Sequence, residues 1–140
     1  MLTSVNYVAV LVAALAAFVI GFLWHGPLFG KQWLAMMNVP QSEVDAAKAK
    51  GMGAMLPQMI AAFIQQIVIA CAVSHLAMAL GIADATQAVA LAAFLWFSFI
   101  ATVMLNTVLW EKRKLNLYFF NVAYHLISMI AVTLIVVLWR

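Results

Sequence analysis

Hydrophobic positions in this chain gather into four long runs, near residues 5–24, 57–80, 87–110 and 117–139. Polar residues, charges, Gly and Pro concentrate in the three stretches between them. Each run reaches the roughly 20 residues that a helix needs to cross a hydrocarbon core about 30 Å thick. Strands are a poor alternative, because an open sheet edge would leave backbone polar groups unpaired in lipid. The pattern predicts an all-α integral membrane bundle of four transmembrane helices, a single domain over residues 1–140.

Composition sharpens this. Of 140 residues, 69% are hydrophobic and 8% charged, with mean hydropathy +1.12. A soluble domain carries about a quarter charged residues and about half apolar ones. Aqueous enzymes, nucleic-acid binders and disordered chains are thereby excluded. The pI near 9.3 reflects a net charge of only +3. Six of the seven basic residues fall in two clusters, Lys31, Lys48 and Lys50, then Lys112, Arg113 and Lys114. In a four-span chain both clusters lie on one side, and the positive-inside rule makes that side cytoplasmic, with both termini outside. Trp24, Trp33, Trp110 and Tyr118 are expected to form an inner aromatic belt, and Tyr7 and Trp139 its outer counterpart. The N-terminus lacks the basic region of a signal peptide, so the first run is expected to be a retained helix. The lone Cys71 excludes an intrachain disulfide and any Cys-pair metal motif.

The connections carry their own signals. Gly26-Pro27 is expected to end the first helix. Ser42-Glu43-Val44-Asp45 fits a capping box, and Lys48, Lys50 and Gly51 follow as a C-terminal signal, which predicts a short amphipathic helix in the first cytoplasmic loop. The other two connections, 81–86 and 111–116, are short, with Asp84 as a candidate N-cap. Helices 2 and 3, and helices 3 and 4, are therefore expected to be antiparallel neighbours. Along helix 1, Ala9, Ala13, Ala17 and Gly21 recur every four residues. Such a stripe serves packing within one chain or the seam of a homo-oligomer, and the sequence leaves both open.

Polar residues inside the runs are the candidate chemistry. Helix 4 carries Asn121, Tyr124, His125 and Ser128; helix 3 carries Ser98, Thr102 and Asn106. Folding the two helices about their short turn sets Asn106 level with Asn121, Thr102 with His125, and Ser98 with Ser128. Gln65 and Gln66 share the depth of His125, about 12 Å from the cytoplasmic edge, and Gln58 lies nearer the mouth. A polar cluster is expected in the cytoplasmic half, serving as interhelical glue or as the lining of a water-reachable cavity. His125 favours the cavity, because an imidazole can relay a proton or hold a ligand.

No metal site is predicted, since depth separates His25, His75 and His125 too widely to share one ion. Met52, Met55 and Met59 are expected to be packing or interface surface. A Ser/His/acid set lacks an intramembrane carboxylate, because Glu111 and Asp84 fall at interfaces; Glu111 is expected at the cavity mouth, facing His25. No cofactor is required, although haem held between two chains and a quinone both remain open.

The stretch Gly21-Phe22-Leu23-Trp24-His25-Gly26-Pro27-Leu28-Phe29-Gly30-Lys31-Gln32-Trp33 is the most distinctive in the chain. It resembles the signature of the domain of unknown function 1761 family, small four-span bacterial membrane proteins, and Glu111, Asn121 and Tyr124 also look like that pattern. His25 stands where the pattern more often has Tyr. The resemblance implies the four-span fold and a bacterial inner membrane, and carries no activity.

Three functional readings follow. The first is a homo-oligomeric channel or transporter for an ion or small polar solute, with His125 as the sensitive group, Gln65, Thr102, Asn106 and Asn121 lining the path, and Glu111 at its mouth. The second is a membrane oxidoreductase subunit that binds haem or a quinone. The third is an accessory subunit that assembles with a membrane-protein partner. All three place the chain in a lipid bilayer and none involves nucleic acid.

Overall fold

The computed structural model describes residues 5–140. Four helices are long and apolar enough to cross a membrane, Tyr7–Leu28, Met52–Ala79, Ala85–Leu109 and Leu115–Leu138, and no strand occurs among the described residues. In chain order the helices are α1 (Tyr7–Leu23, prolonged by a wide π-helical turn over Trp24–Leu28), α2 (Gly30–Met36) and α3 (Gln41–Lys50). Then come α4 (Leu56–Ala79, entered through a tight turn at Met52–Met55), α5 (Ala85–Leu109) and α6 (Leu115–Leu138).

The α1 and α6 helices run antiparallel in one register from end to end. Asn6 caps α1 by accepting from the amides of Val8 and Ala9, and its Nδ2 donates to the Trp139 carbonyl at 3.2 Å. Fifteen residues along α1, and fifteen back along α6, Gly21 meets Tyr124; four further on, His25 meets Phe120. The α6 helix is the centre of the bundle, packed against α1, α4 and α5, while α1 also packs against α4. The α5 helix lies on the far side of α6 and shares no comparable face with α4, so only helices 3 and 4 are the close neighbours that loop length led us to expect. The loop between α4 and α5 is short, but α6 occupies the space between their faces.

The core sits in the half of the bundle that carries the termini. Val10, Ala13, Ala14 and Ala17 of α1, Ala70, Val73 and Ala77 of α4, Ala88 and Ala92 of α5, and Val132 and Val136 of α6 form one buried cluster. Many of these are alanines with no exposed surface. Small side chains let helix backbones approach closely, which is where membrane bundles gain their packing energy. The stripe Ala9, Ala13 and Ala17 is thus covered by the chain's own helices. Below this cluster the helices diverge toward the end that carries the basic connections.

Local departures from α geometry set the rest. Gly26-Pro27 does not end the first helix. Pro27 lacks an N–H, and the widened turn Trp24–Leu28 absorbs the missing bond before the chain leaves at Phe29, φ −130°. Gly30 then lets the chain fold back tightly, since a Cβ there would stand 3.0 Å from the His25 carbonyl oxygen. The loop helix α3 starts two residues earlier than the capping box implied. Pro40 is its N-cap, and Gln41 Nε2 reaches Asp45 Oδ1 at 3.0 Å in place of a serine cap. Gly51 stops it at φ +76°, a region that glycine enters without penalty. Val44 is its only residue that is not fully exposed, so its apolar face is narrow. Asp84 caps α5 as expected, accepting from Gln87 N at 2.8 Å.

Candidate intramembrane cavity

Where the helices diverge they leave a cavity of about 430 Å³ between α1, α4 and α6. The α1 helix contributes Phe18, Gly21, Phe22, His25 and Gly26, and Trp33 of α2 closes the end. Met52, Met55, Gln58, Met59, Ala62, Gln65 and Gln66 supply the α4 wall, and Tyr124 and His125 the α6 wall. Phe18 and Phe63 meet edge to face with centroids 5.9 Å apart and close the α1–α4 seam above it. The walls are mainly apolar, with polar atoms from three glutamines, two histidines and one tyrosine, and no Lys, Arg, Asp or Glu lines it.

Aromatic packing fixes the polar end. The His25 ring sits edge-on to Tyr124, Trp33 and Phe120, with centroids 5.1, 5.2 and 5.8 Å away. Tyr124 in turn lies 4.8 Å from the His125 ring. The Tyr124 hydroxyl lies over Gly21, whose missing Cβ makes room for it, and the buried Ser128 follows one turn on along α6. Behind Tyr124, the Trp24 indole lies edge-on to Phe29 and tilted against Phe120, and its buried Nε1 has no hydrogen-bond partner among the described residues. Trp24 is therefore part of the interior, not of the aromatic belt; Trp110, 80% exposed, fits a belt position.

His25 has a defined tautomer. Its Nδ1 lies 2.9 Å from the Gly21 carbonyl oxygen. A carbonyl only accepts, so Nδ1 carries the proton, and Nε2 of the neutral ring keeps its lone pair. Across the cavity, Gln66 is only 7% exposed. Neither it nor Gln65, Gln58 or His125 finds a side-chain hydrogen bond among the described residues. Amides and imidazoles in hydrocarbon surroundings are costly unless something pairs with them, by several kcal/mol for each group. These side chains converge on one space, so a single polar occupant answers several of them together.

Of the residues picked out from sequence, the structure brings Gln65, Tyr124, His125 and His25 into this cavity, with Gly21 from the small-residue stripe, and buries Ser128 one turn on from Tyr124. His25 and His125 line the same cavity, closer than depth arithmetic allowed, because the first helix continues past Trp24 to Leu28 and carries His25 inward from its end. The expected rungs between helices 3 and 4 do not form. Thr102 is exposed and donates to Ser98 O of its own helix at 2.6 Å, and Asn106 is exposed. The cause is a wide turn over Trp96–Ala101, which accommodates an extra residue and rotates everything after it by about 100° relative to a straight helix. Asn121 is half-buried outside the cavity. Glu111 lies in a separate polar recess of about 350 Å³ with Asn38, Lys112, Arg113 and Lys114, not at the mouth facing His25.

Sequence reasoning missed Phe18, Phe22, Trp33 and Ala62 as lining residues, and read Met52, Met55 and Met59 as packing surface. A signal was present: Met52, Met55, Met59, Ala62 and Gln66 recur every three or four residues, placing the methionines and a glutamine on one helix face. No curated protein and no solved structure matches the chain. Residues 8–137 match the family described as proteins of unknown function (DUF1761). With nearly its whole length matched, and with four apolar helices in the order that the resemblance implied, this chain belongs to the DUF1761 family.

Proposed function

We propose that this protein binds a neutral, lipid-soluble small molecule with a polar ring head, a quinone being the type, in the cavity between α1, α4 and α6. The observation that carries this reading is the convergence of Gln65, Gln66 and His125, without side-chain hydrogen bonds among the described residues, and of His25, bonded only through Nδ1 to the Gly21 carbonyl, on an apolar-walled space lined by no Lys, Arg, Asp or Glu. Its 430 Å³ falls in the range of small-molecule sites, about 300–1,000 Å³, and the mix of apolar walls with few polar groups is typical of them. Binding is favoured over conduction through one chain, because the alanine cluster packs the other half of the bundle shut. The basic connections at the cavity end support an orientation with that end on the cytoplasmic side of a bacterial inner membrane and both termini outside, by the positive-inside rule.

Equilibrium dialysis of the purified protein in mild detergent against a short-chain benzoquinone tests this. Saturable one-to-one binding is expected in the wild type, and its loss in Ala62→Trp, which fills the cavity from the α4 wall. Binding that survives Ala62→Trp, or no saturable binding in either protein, overturns the reading. Solute flux in liposomes without ligand retention would return the case to transport.

A further inference from the structure

We infer that the cavity takes its ligand in the reduced, hydroxyl-bearing form, a quinol or related phenol, with the ring O–H donated to Nε2 of His25. This rests on the reading of the cavity as a site for a neutral ring head, and adds which redox form it prefers.

The inference comes from the polarity of each group that lines the cavity. Gln65 and Gln66 carry amides that both donate and accept, so they satisfy a carbonyl or a hydroxyl equally well. His125 makes no hydrogen bond that fixes its tautomer, and it can present either a donor or an acceptor. His25 is different. Its only proton is committed to the Gly21 carbonyl at 2.9 Å, so the nitrogen left for a ligand is an acceptor. A quinone oxygen is also an acceptor, and set against Nε2 it would leave two lone pairs facing each other in an apolar enclosure. A quinol oxygen brings the missing proton. With no charged side chain in the lining, an ionic head would find no counter-charge, which leaves a neutral donor as the matching chemistry.

The other end of the molecule shows that the tautomer alone makes no site. His75 donates from Nδ1 to the Cys71 carbonyl at 2.7 Å, one turn back, as His25 does to Gly21. Its Nε2, however, is buried in the packed half without a partner among the described residues, and His75 lines none of the cavities described. His25 combines the fixed acceptor with open space and an aromatic frame of Tyr124, Trp33 and Phe120.

The test compares a short-chain benzoquinol, kept reduced under anaerobic conditions, with its dimethyl ether, which has the same ring and tail but no O–H donor and two added methyl groups. The change of preference in a His25 variant then separates the donor from the added bulk. Dissociation constants are measured by isothermal titration with the full-length protein in detergent. The wild type is expected to bind the quinol about tenfold or more tightly than the ether, the usual consequence of one mismatched buried hydrogen bond. His25→Phe keeps an aromatic edge against Trp33, Phe120 and Tyr124 but has no acceptor, and is expected to bind both ligands alike. Should that variant fail to fold, His25→Gln, whose amide can turn either way, is expected to shrink the preference. Gln66→Leu is expected to weaken both ligands while keeping the preference. Equal binding of the two ligands by the wild type, or a preference that survives the loss of His25, overturns the inference and leaves the ring-head reading standing. If the quinol, its ether and the parent quinone all fail to bind the wild type, that reading falls and takes this inference with it.

Discussion

Gly21 and Tyr124 compete for one space: a Cβ on Gly21 would stand 2.7 Å from the Tyr124 hydroxyl oxygen and 3.2 Å from its Cζ. Tyr124 is 9% exposed and held by rings on several sides, so it has little freedom to retreat. Gly21→Leu is expected to destabilise the protein by about 1–3 kcal/mol through overpacking. Tyr124→Ala should relieve part of that cost, making the double variant more stable than the sum of the single effects predicts. Thermal melts of all four proteins in one detergent, followed by circular dichroism, measure the coupling. Strict additivity would mean that the two residues do not share the space.

The α5 helix depends on two side-chain to backbone pins. Trp96 Nε1 donates to the Val122 carbonyl at 2.7 Å, and the Tyr118 hydroxyl donates to the Ala101 carbonyl at 2.7 Å. They bracket the wide turn Trp96–Ala101, where the ordinary helical bonding is broken. Polar contacts between membrane helices contribute about 0.6–2 kcal/mol each. Tyr118→Phe removes one hydroxyl and is expected to cost about that much, with faster amide exchange confined to the wide turn and the residues after it. Uniform loosening of all four helices would contradict a local role for the pin.

What was legible in the sequence tracks what depends on one helix at a time. Span positions follow from runs of apolar residues that lipid requires, and Asp84 and Gly51 act through atoms a few residues away. The glutamines of α4 and His125 of α6 line one cavity, and their common depth follows from counting along regular helices from the same membrane edge. Thr102 and Asn106 were misplaced because one irregular turn upstream changed the face they present. His25 lies nearer His125 than a helix ending at Pro27 would allow, because the helix widens around Pro27 instead of stopping. Local deviations of this kind come from tertiary packing, and periodicity carries no trace of them.

Ala13 has no exposed surface inside the single chain. Ala13→Leu is therefore expected to destabilise the bundle itself, by about 1–3 kcal/mol or more, with the same loss at any protein concentration. If the stripe were instead a seam between two copies, the melting temperature of the wild type would rise with concentration and the variant would be a stable monomer. Melts across a hundredfold range of protein-to-detergent ratio separate the two outcomes.

The proposed orientation has a direct check. Cys71 is the only cysteine and is half-buried in α4, so Cys71→Ala gives a background without thiols. Ser42 of α3 is exposed at the basic end, so Ser42→Cys presents an accessible thiol there. A membrane-impermeant maleimide should label it in inside-out vesicles and leave it unlabelled in intact spheroplasts. Labelling in spheroplasts would reverse the assignment, and with it the side from which the cavity is approached.

Asn6 performs two jobs that substitution can separate. Its Oδ1 accepts from Val8 N and Ala9 N, and its Nδ2 donates to the Trp139 carbonyl at 3.2 Å. Asn6→Ala loses both, and an N-cap alone is worth about 1 kcal/mol. Asn6→Asp keeps the cap, since a carboxylate accepts as well as an amide, but has no proton for Trp139. Hydrogen exchange read at single amides should show Val8 and Ala9 unprotected in Asn6→Ala and protected in Asn6→Asp. Both variants should speed exchange at Trp139, whose amide is held by the Ile135 carbonyl at 3.0 Å in the last turn of α6. If Asn6→Asp leaves Trp139 as slow as in the wild type, the α1–α6 register is held by the packed alanine and valine faces alone, and the tie between the two ends contributes nothing to it.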